Sequence, residues 1–185
     1  MARIPYPDPK KLSPETQDFL TKLPSLNIFR MMAGGEGLLE AFVKLGNHIL
    51  YKSKLDPVLR EIAIIRAGVL SNAKYEVFQH ERIGRALGMS EALLKACHTG
   101  PSDPVLTEPQ RLVMAYTDDI AKNVRATDAS FKPLLEKFSV QEAQELTITI
   151  GYYMMVSRYL ETFGVDIEED APKGESPLPK SLDLR

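Results

Sequence analysis

The sequence predicts an all-α fold, a single-domain bundle of about eight helices, and three observations carry that prediction. Apolar residues recur at helical spacing through most of the chain. Helix-start signatures and closing glycines interrupt that pattern at regular intervals: Asp56-Pro57, Ser90-Glu91, Thr107-Glu108-Pro109-Gln110 and Ser139-Val140-Gln141-Glu142 open helices, and Gly88 and Gly164 close them. No stretch alternates apolar and polar residues as a half-buried strand does. With 185 residues, 44% hydrophobic and 26% charged, the chain suits one soluble domain with a substantial core.

The order of elements follows from local chemistry. Residues 1–25 contain Pro5, Pro7, Pro9, Pro14 and Pro24, which fix φ and remove donors, so an extended arm is expected, with a short helix opening at Ser13-Pro14-Glu15. Ile4 and Tyr6 are its apolar anchors. Residues 26–165 form the helical domain. Within it, Phe29, Met32, Leu38, Leu39, Phe42, Val43, Leu45, Ile49 and Leu50 are spaced helically, and Gly34, Gly35 and Gly37 split the run into two helices. His48 has no fixed partner in sequence and reads as a structural or surface residue.

Asp56 caps the next helix and Pro57 occupies its first position, where a missing N–H costs nothing. That helix runs to Leu70 and is apolar almost all round, so Glu61 and Arg66 are its exceptions. After Ser71-Asn72, a helix from about Ala73 to Leu87 carries Glu76 and His80 four residues apart on one face with Ala73, Ile83 and Leu87. A short helix ending near His98 follows; Cys97 and His98 are adjacent, do not face each other, and read as packing and a helix-end cation. Helices over about 107–122, 127–137 and 139–163 complete the domain. The run Leu146 to Val156 is too apolar for a half-exposed helix and belongs in the centre of the domain or in an interface. Residues 166–185, acidic at Asp166 to Asp170 and then proline-rich at Pro172, Pro177 and Pro179, read as a tail.

Composition excludes several functions. A net charge of −2 with no Lys/Arg cluster argues against nucleic acid. One cysteine allows no intrachain disulfide, no apolar run is long enough to span a membrane, and Met1-Ala2-Arg3-Ile4-Pro5 lacks the apolar core of a signal peptide, so a cytoplasmic location is expected.

Chemistry concentrates between Asp56 and Gly88. A carboxylate and an imidazole share one helix face, with a second carboxylate on the helix before it, which is the raw material of general acid–base catalysis. A solvated Glu76/His80 pair, and a structural pairing of Glu61 with Arg60 or Arg66, would give the same spacing. His80 is the candidate proton donor or acceptor, Glu76 its partner and Glu61 the group that orients the site. Tyr75 and Tyr152 are candidate substrate-binding hydroxyls.

The run Arg60-Glu61 through Tyr75-Glu76-Val77-Phe78-Gln79-His80 to Gly88, with Leu26-Asn27-Ile28-Phe29-Arg30 upstream and Gly151-Tyr152-Tyr153 downstream, resembles the carboxymuconolactone decarboxylase family, which includes the alkyl hydroperoxidase D branch. The resemblance covers about Leu26 to Val165 and implies an AhpD-like helical fold and a homo-oligomer, a trimer or a hexamer, with sites near subunit boundaries. In the peroxidase branch a Glu precedes a Cys-x-x-Cys by twelve residues and a His follows the second Cys by four. Glu61 and His80 occupy the Glu and His positions, but Ala73 and Glu76 stand where the cysteines would be. Thiol peroxidase chemistry needs a thiolate and a resolving thiol. The resemblance therefore implies a cofactor-independent lyase-like enzyme acting on a small carboxylated or carbonyl-containing molecule by decarboxylation or isomerisation. The alternatives are an alkyl hydroperoxidase or peroxiredoxin-like antioxidant protein and a non-enzymatic metal- or ligand-binding protein; no metal is expected.

Overall fold

The computed structural model describes residues 2–169, 176–179 and 181. Among these, nine α-helices and one 3₁₀ turn form the molecule: α1 Pro14–Thr21, α2 Asn27–Met32, α3 Leu38–Tyr51, α4 Pro57–Leu70, α5 Lys74–Ala86, α6 Glu91–Thr99, α7 Glu108–Lys122, α8 Asp128–Lys137 and α9 Val140–Phe163. The nine agree with the expected count of about eight, and the expected split at Gly34, Gly35 and Gly37 separates the short α2 from α3.

Helix α4 is the axis. It packs against α5, α6, α7 and α9, and every residue from Arg60 to Gly68 is buried. Its all-round apolar character explains this, since a helix without a polar face gains by burying every side. Ile62, Ile64 and Ile65 are fully enclosed, each stabilising the fold by roughly 1.5–3 kcal/mol. Two apolar clusters meet along α4. One contains Ile62 and Ile65 with α6, α7 and Leu146 and Ile150 of α9. The other contains Ile64 with Ile28, Ile49, Tyr75, Tyr152 and Tyr153.

The start and stop chemistry forms as expected. Asp56 accepts hydrogen bonds from the backbone N–H groups of Val58 and Leu59. Capping boxes form at Thr107/Gln110 and Ser139/Glu142. Gly164 ends α9 in the left-handed region at φ 62°, where a residue without Cβ carries no steric penalty. The apolar run on α9 is buried at Leu146, Ile150, Tyr152, Tyr153 and Val156, but Ile148 and Met155 lie about half exposed on its outer side.

The N-terminal arm lies across the end of α9. Arg3 donates its backbone N–H to Phe163 O at 2.8 Å, and the Tyr6 ring sits 5.0 Å from the Arg30 guanidinium. Tyr6 is the anchor; Ile4, expected to share that role, is exposed. The segment after α9 returns to the body as well. Glu168 accepts from Asn27 N at 2.6 Å, and Leu178 packs on the cluster around Tyr75 and Tyr153. Of the residues read as a tail, Asp170 and Pro172 lie outside the described residues. No helix is long and apolar enough to cross a membrane among the described residues.

Candidate functional site

The site forms where α4 and α5 run side by side. The two helices approach closely at Gly68, where a Cβ would meet Val77 at 3.1 Å and Glu76 Cγ at 3.4 Å. That approach turns the Glu76 and His80 face of α5 toward α4, and Glu61, Glu76 and His80 are all buried.

Their arrangement is a line of charge-bearing groups. Arg60 donates from Nε and Nη2 to Glu61 Oε1, both at 3.1 Å, and from Nη1 to Leu50 O at 2.9 Å. The other oxygen of Glu61 lies 2.6 Å from His80 Nδ1. On the far side of the ring, His80 Nε2 is 3.2 Å from Glu76 Oε1, an ion pair longer than the Glu61 contact, and this oxygen has no hydrogen bond among the described residues. Tyr153 packs edge-on against the imidazole with ring centroids 4.7 Å apart. Burial alone would lower the histidine's pKa; the carboxylates of Glu61 and Glu76 outweigh it and raise the pKa from 6.5 to about 9. His80 therefore carries a proton at neutral pH.

Glu76 and His80 face a cavity of about 80 Å³. Its walls come from α2, α3, α5, α9, Pro24 and Leu26 before α2, and Pro177 and Leu178. Among the described residues, no lysine or arginine lines it. Tyr75 and Tyr152, the candidate substrate-binding residues, both line the cavity, but each hydroxyl already serves the protein. Tyr75 donates to Glu168 Oε1 at 2.6 Å and Tyr152 donates to Phe42 O at 3.0 Å. Burial pushes the pKa of both phenols up, so neither titrates near neutral pH. Tyr152 reaches its acceptor only because position 46 is glycine: a Cβ there would lie 2.7 Å from the Tyr152 hydroxyl.

Three contributors escaped the sequence. Asn47 on α3 is buried, lines the cavity, and leaves Oδ1 unpartnered. Its signal was present as a polar residue on the stripe Val43, Gly46, Asn47, Leu50 of an otherwise apolar helix face. Glu168 ties the returning segment to α5 by accepting from Tyr75 and from Gln79 Nε2 at 2.5 Å. Leu178 closes part of the cavity wall. Neither of the last two had a local signal, because both act from a stretch whose composition is that of a solvated tail.

The remaining titratable residues stand apart. Arg66 pairs with Asp118 and not with Glu61. His48 is exposed, and His98 lies 2.7 Å from Glu81 on the surface. Cys97 is fully buried, donates to Leu93 O, and has its thiol pushed by burial up to about 12, which leaves no thiolate at physiological pH. No group of three or more His, Cys, Asp or Glu side chains has metal-holding geometry among the described residues.

Comparison with known proteins agrees with this architecture. Residues 36–119 match the model of the carboxymuconolactone decarboxylase family, a span that contains Glu61, Glu76 and His80. No curated protein sequence matches the chain. Among solved structures, a peroxidase-related protein from Ralstonia eutropha JMP134, described as an alkylhydroperoxidase AhpD core, superposes with a TM-score of 0.80 at 18% identity, covering 91% of this chain and 93% of that one. A putative antioxidant defence protein AhpD from Agrobacterium tumefaciens gives 0.71 at 22% identity over 75% and 96%. The debrominase Bmp8, in complex with 2,3,4-tribromopyrrole, gives 0.73 at 16% identity over 91% of each chain. At such identities the likeness establishes the AhpD-like fold.

Proposed function

We propose, for a chain whose residues 36–119 belong to the carboxymuconolactone decarboxylase family, a cofactor-independent enzyme that moves a proton on a small carbonyl-containing molecule. The observation that carries this reading is His80, held between Glu61 and Glu76 at the wall of a cavity with one Glu76 oxygen making no hydrogen bond among the described residues. Acid and base are thereby adjacent. Protonated His80 is the donor, Glu76 the acceptor that faces the cavity, and Glu61, locked by Arg60, the residue that orients the imidazole.

Isomerisation suits the cavity better than decarboxylation. A substrate carboxylate would enter a space whose wall has no lysine or arginine among the described residues and face the Glu76 carboxylate, and burying an unpaired charge is costly. The peroxidase-like alternative lacks a competent thiol, since Ala73 and Glu76 occupy the cysteine positions and Cys97 is sealed in the core.

The test follows solvent deuterium into the α-carbon of one-ring ketones, with carboxymuconolactone turnover measured beside it. His80→Gln keeps much of the side chain's shape and removes proton exchange; exchange is expected to fall by about 10²–10⁴-fold. Because the active form of His80 is protonated, the wild-type rate should hold through neutral pH and fall as pH rises through about 9. Undiminished exchange in His80→Gln refutes the assignment.

A further inference from the structure

The cavity beside His80 contains polar atoms that the protein itself does not satisfy. Glu76 Oε1 and Asn47 Oδ1 are both buried; Oε1 has the 3.2 Å ion pair with His80 Nε2 but no hydrogen bond, and Oδ1 has no hydrogen-bond partner among the described residues, and their side chains line the same space. A buried acceptor left unmade costs about 1–3 kcal/mol, so Asn47, and Glu76 beyond its ion pair with His80, keep acceptor capacity that a ligand donor can use. The Glu76 carboxylate is acceptor-only, whereas the Asn47 amide can present its oxygen or its nitrogen. The remaining surface is largely aromatic. Phe42 stacks on Tyr152 with centroids 5.1 Å apart, Tyr152 meets Tyr153 edge-on at 5.2 Å, and Tyr153 meets His80 edge-on at 4.7 Å.

We infer that this cavity takes an uncharged one-ring molecule bearing a hydroxyl or ring N–H, whose donor hydrogen bonds to the Glu76 carboxylate while the ring packs among Phe42, Tyr152 and Tyr153. The inference rests on the reading of Glu76 as the acceptor that faces the substrate. It disfavours anions as ligands: His80 already directs Nδ1 at Glu61 and Nε2 at Glu76, and no other cation lines the space among the described residues. A keto–enol pair fits the same class, with the enol O–H as donor.

Size identifies a second determinant. The cavity is about 80 Å³, whereas an engineered cavity that holds benzene is about 150 Å³. One wall side chain must therefore yield to a ring; Pro24, Leu26, Pro177 and Leu178 are the lining residues outside the helices, and of these Leu178 is the leucine carried by the segment after α9. It reaches the cavity from the segment whose Pro179 carbonyl accepts from the Tyr51 hydroxyl at 2.8 Å. Pro177 of the same segment also borders a larger polar cleft that shares Pro24 and Leu26 with the cavity, so displacement of Leu178 opens the cavity toward solvent. Leu178 thus sets which ligands fit.

The experiment is calorimetric titration of the full chain with phenol, toluene and benzoate, which share a ring and differ at one group. Phenol is expected to bind about tenfold or more tightly than toluene, the difference one hydrogen bond to a charged acceptor supplies, and more tightly than benzoate. Leu178→Ala should tighten phenol binding several-fold, and Glu76→Gln should remove the advantage of phenol over toluene. Toluene matching phenol on the wild-type protein, benzoate surpassing it, or phenol failing to bind both the wild type and Leu178→Ala overturns the inference. The comparison of three probes on the unmodified chain needs no variant to fold. Phenol preference alongside undiminished deuterium exchange in His80→Gln would sink the catalytic reading alone; loss of the preference with exchange still dependent on His80 would sink the ligand class alone.

Discussion

Helix α4 carries two buried arginine–carboxylate arrangements less than two turns apart, and they differ in what they leave undone. Arg66 donates from Nε and Nη2 to the two oxygens of Asp118, at 2.5 and 2.9 Å, and from Nη1 to the carbonyls of Cys97 and His98. Lys122 adds a contact to Asp118 at 3.2 Å. Neither side chain has an unsatisfied buried atom among the described residues. Arg60, Glu61, His80 and Glu76 form an equally buried line, yet it ends at Glu76, whose Oε1 has the ion pair with His80 but no hydrogen bond and whose side chain lines a cavity. The first arrangement ties α4 to α7 and to the end of α6, and has no capacity left for a ligand. The second has that capacity, which distinguishes a candidate site from scaffold made of the same residue types.

The two should also respond to pH in opposite directions. Burial raises the Asp118 pKa, but the hydrogen bonds and charge of Arg66 outweigh it and hold the carboxyl below its ordinary value of 3.8. A folded pKa below the unfolded one stabilises above the unfolded value and is lost as pH falls through the folded one. His80 is the reverse case. Its folded pKa of about 9 exceeds 6.5, so its contribution is full below about 6.5 and disappears as pH rises through 9.

The largest expected effect comes from breaking the scaffold pair. Arg66→Met leaves Asp118 buried with only the more exposed Lys122 beside it, and loss of one partner from a buried pair costs about 3–5 kcal/mol. Chemical denaturation should show a loss near the low end of that range, with phenol binding by the surviving folded protein unchanged. A variant as stable as wild type would mean that the Arg66 pair holds nothing together. Next is Glu61→Gln, which keeps the shape and removes the charge nearest His80. The decline in stability between pH 6.5 and 9, on the order of 2–3 kcal/mol in the wild-type protein, should flatten, and NMR titration should show the His80 pKa dropping. A slope unaltered by the substitution would detach His80 from Glu61. The smallest effect is expected for Gly46→Ala. Its new methyl displaces the Tyr152 hydroxyl from Phe42 O, a strain of about 1–3 kcal/mol against roughly 1 kcal/mol gained from helix propensity. Thermal unfolding should show a net loss of about 1 kcal/mol together with altered phenol affinity.

Much of this was legible before the structure. Helix positions followed from caps, glycines and periodicity, because those effects act within one or two turns: Asp56 caps the helix beside it, and Gly164 stops the one before it. Glu76 and His80 were legible as a pair because i and i+4 on a helix are always neighbours. Burial of α4 was legible too, since Ile62, Ile64 and Ile65 cannot face water together. What sequence could not decide was pairing between elements. Arg60 and Arg66 were equal candidates for Glu61, and the choice depended on which neighbour each side of α4 meets: α7 brings Asp118 to Arg66, while α5 brings His80 to Glu61. Likewise, acidic and proline-rich composition marked 166–185 as solvated, yet Glu168 found three donors and Leu178 an apolar wall. Composition sums the average cost of ordering a segment, whereas docking depends on partners about 90 or more positions away in the chain. Local chemistry fixed which helices form and where each ends; only the tertiary arrangement decided which carboxylate meets which cation, which acceptors remain open, and which tail residue lines the cavity.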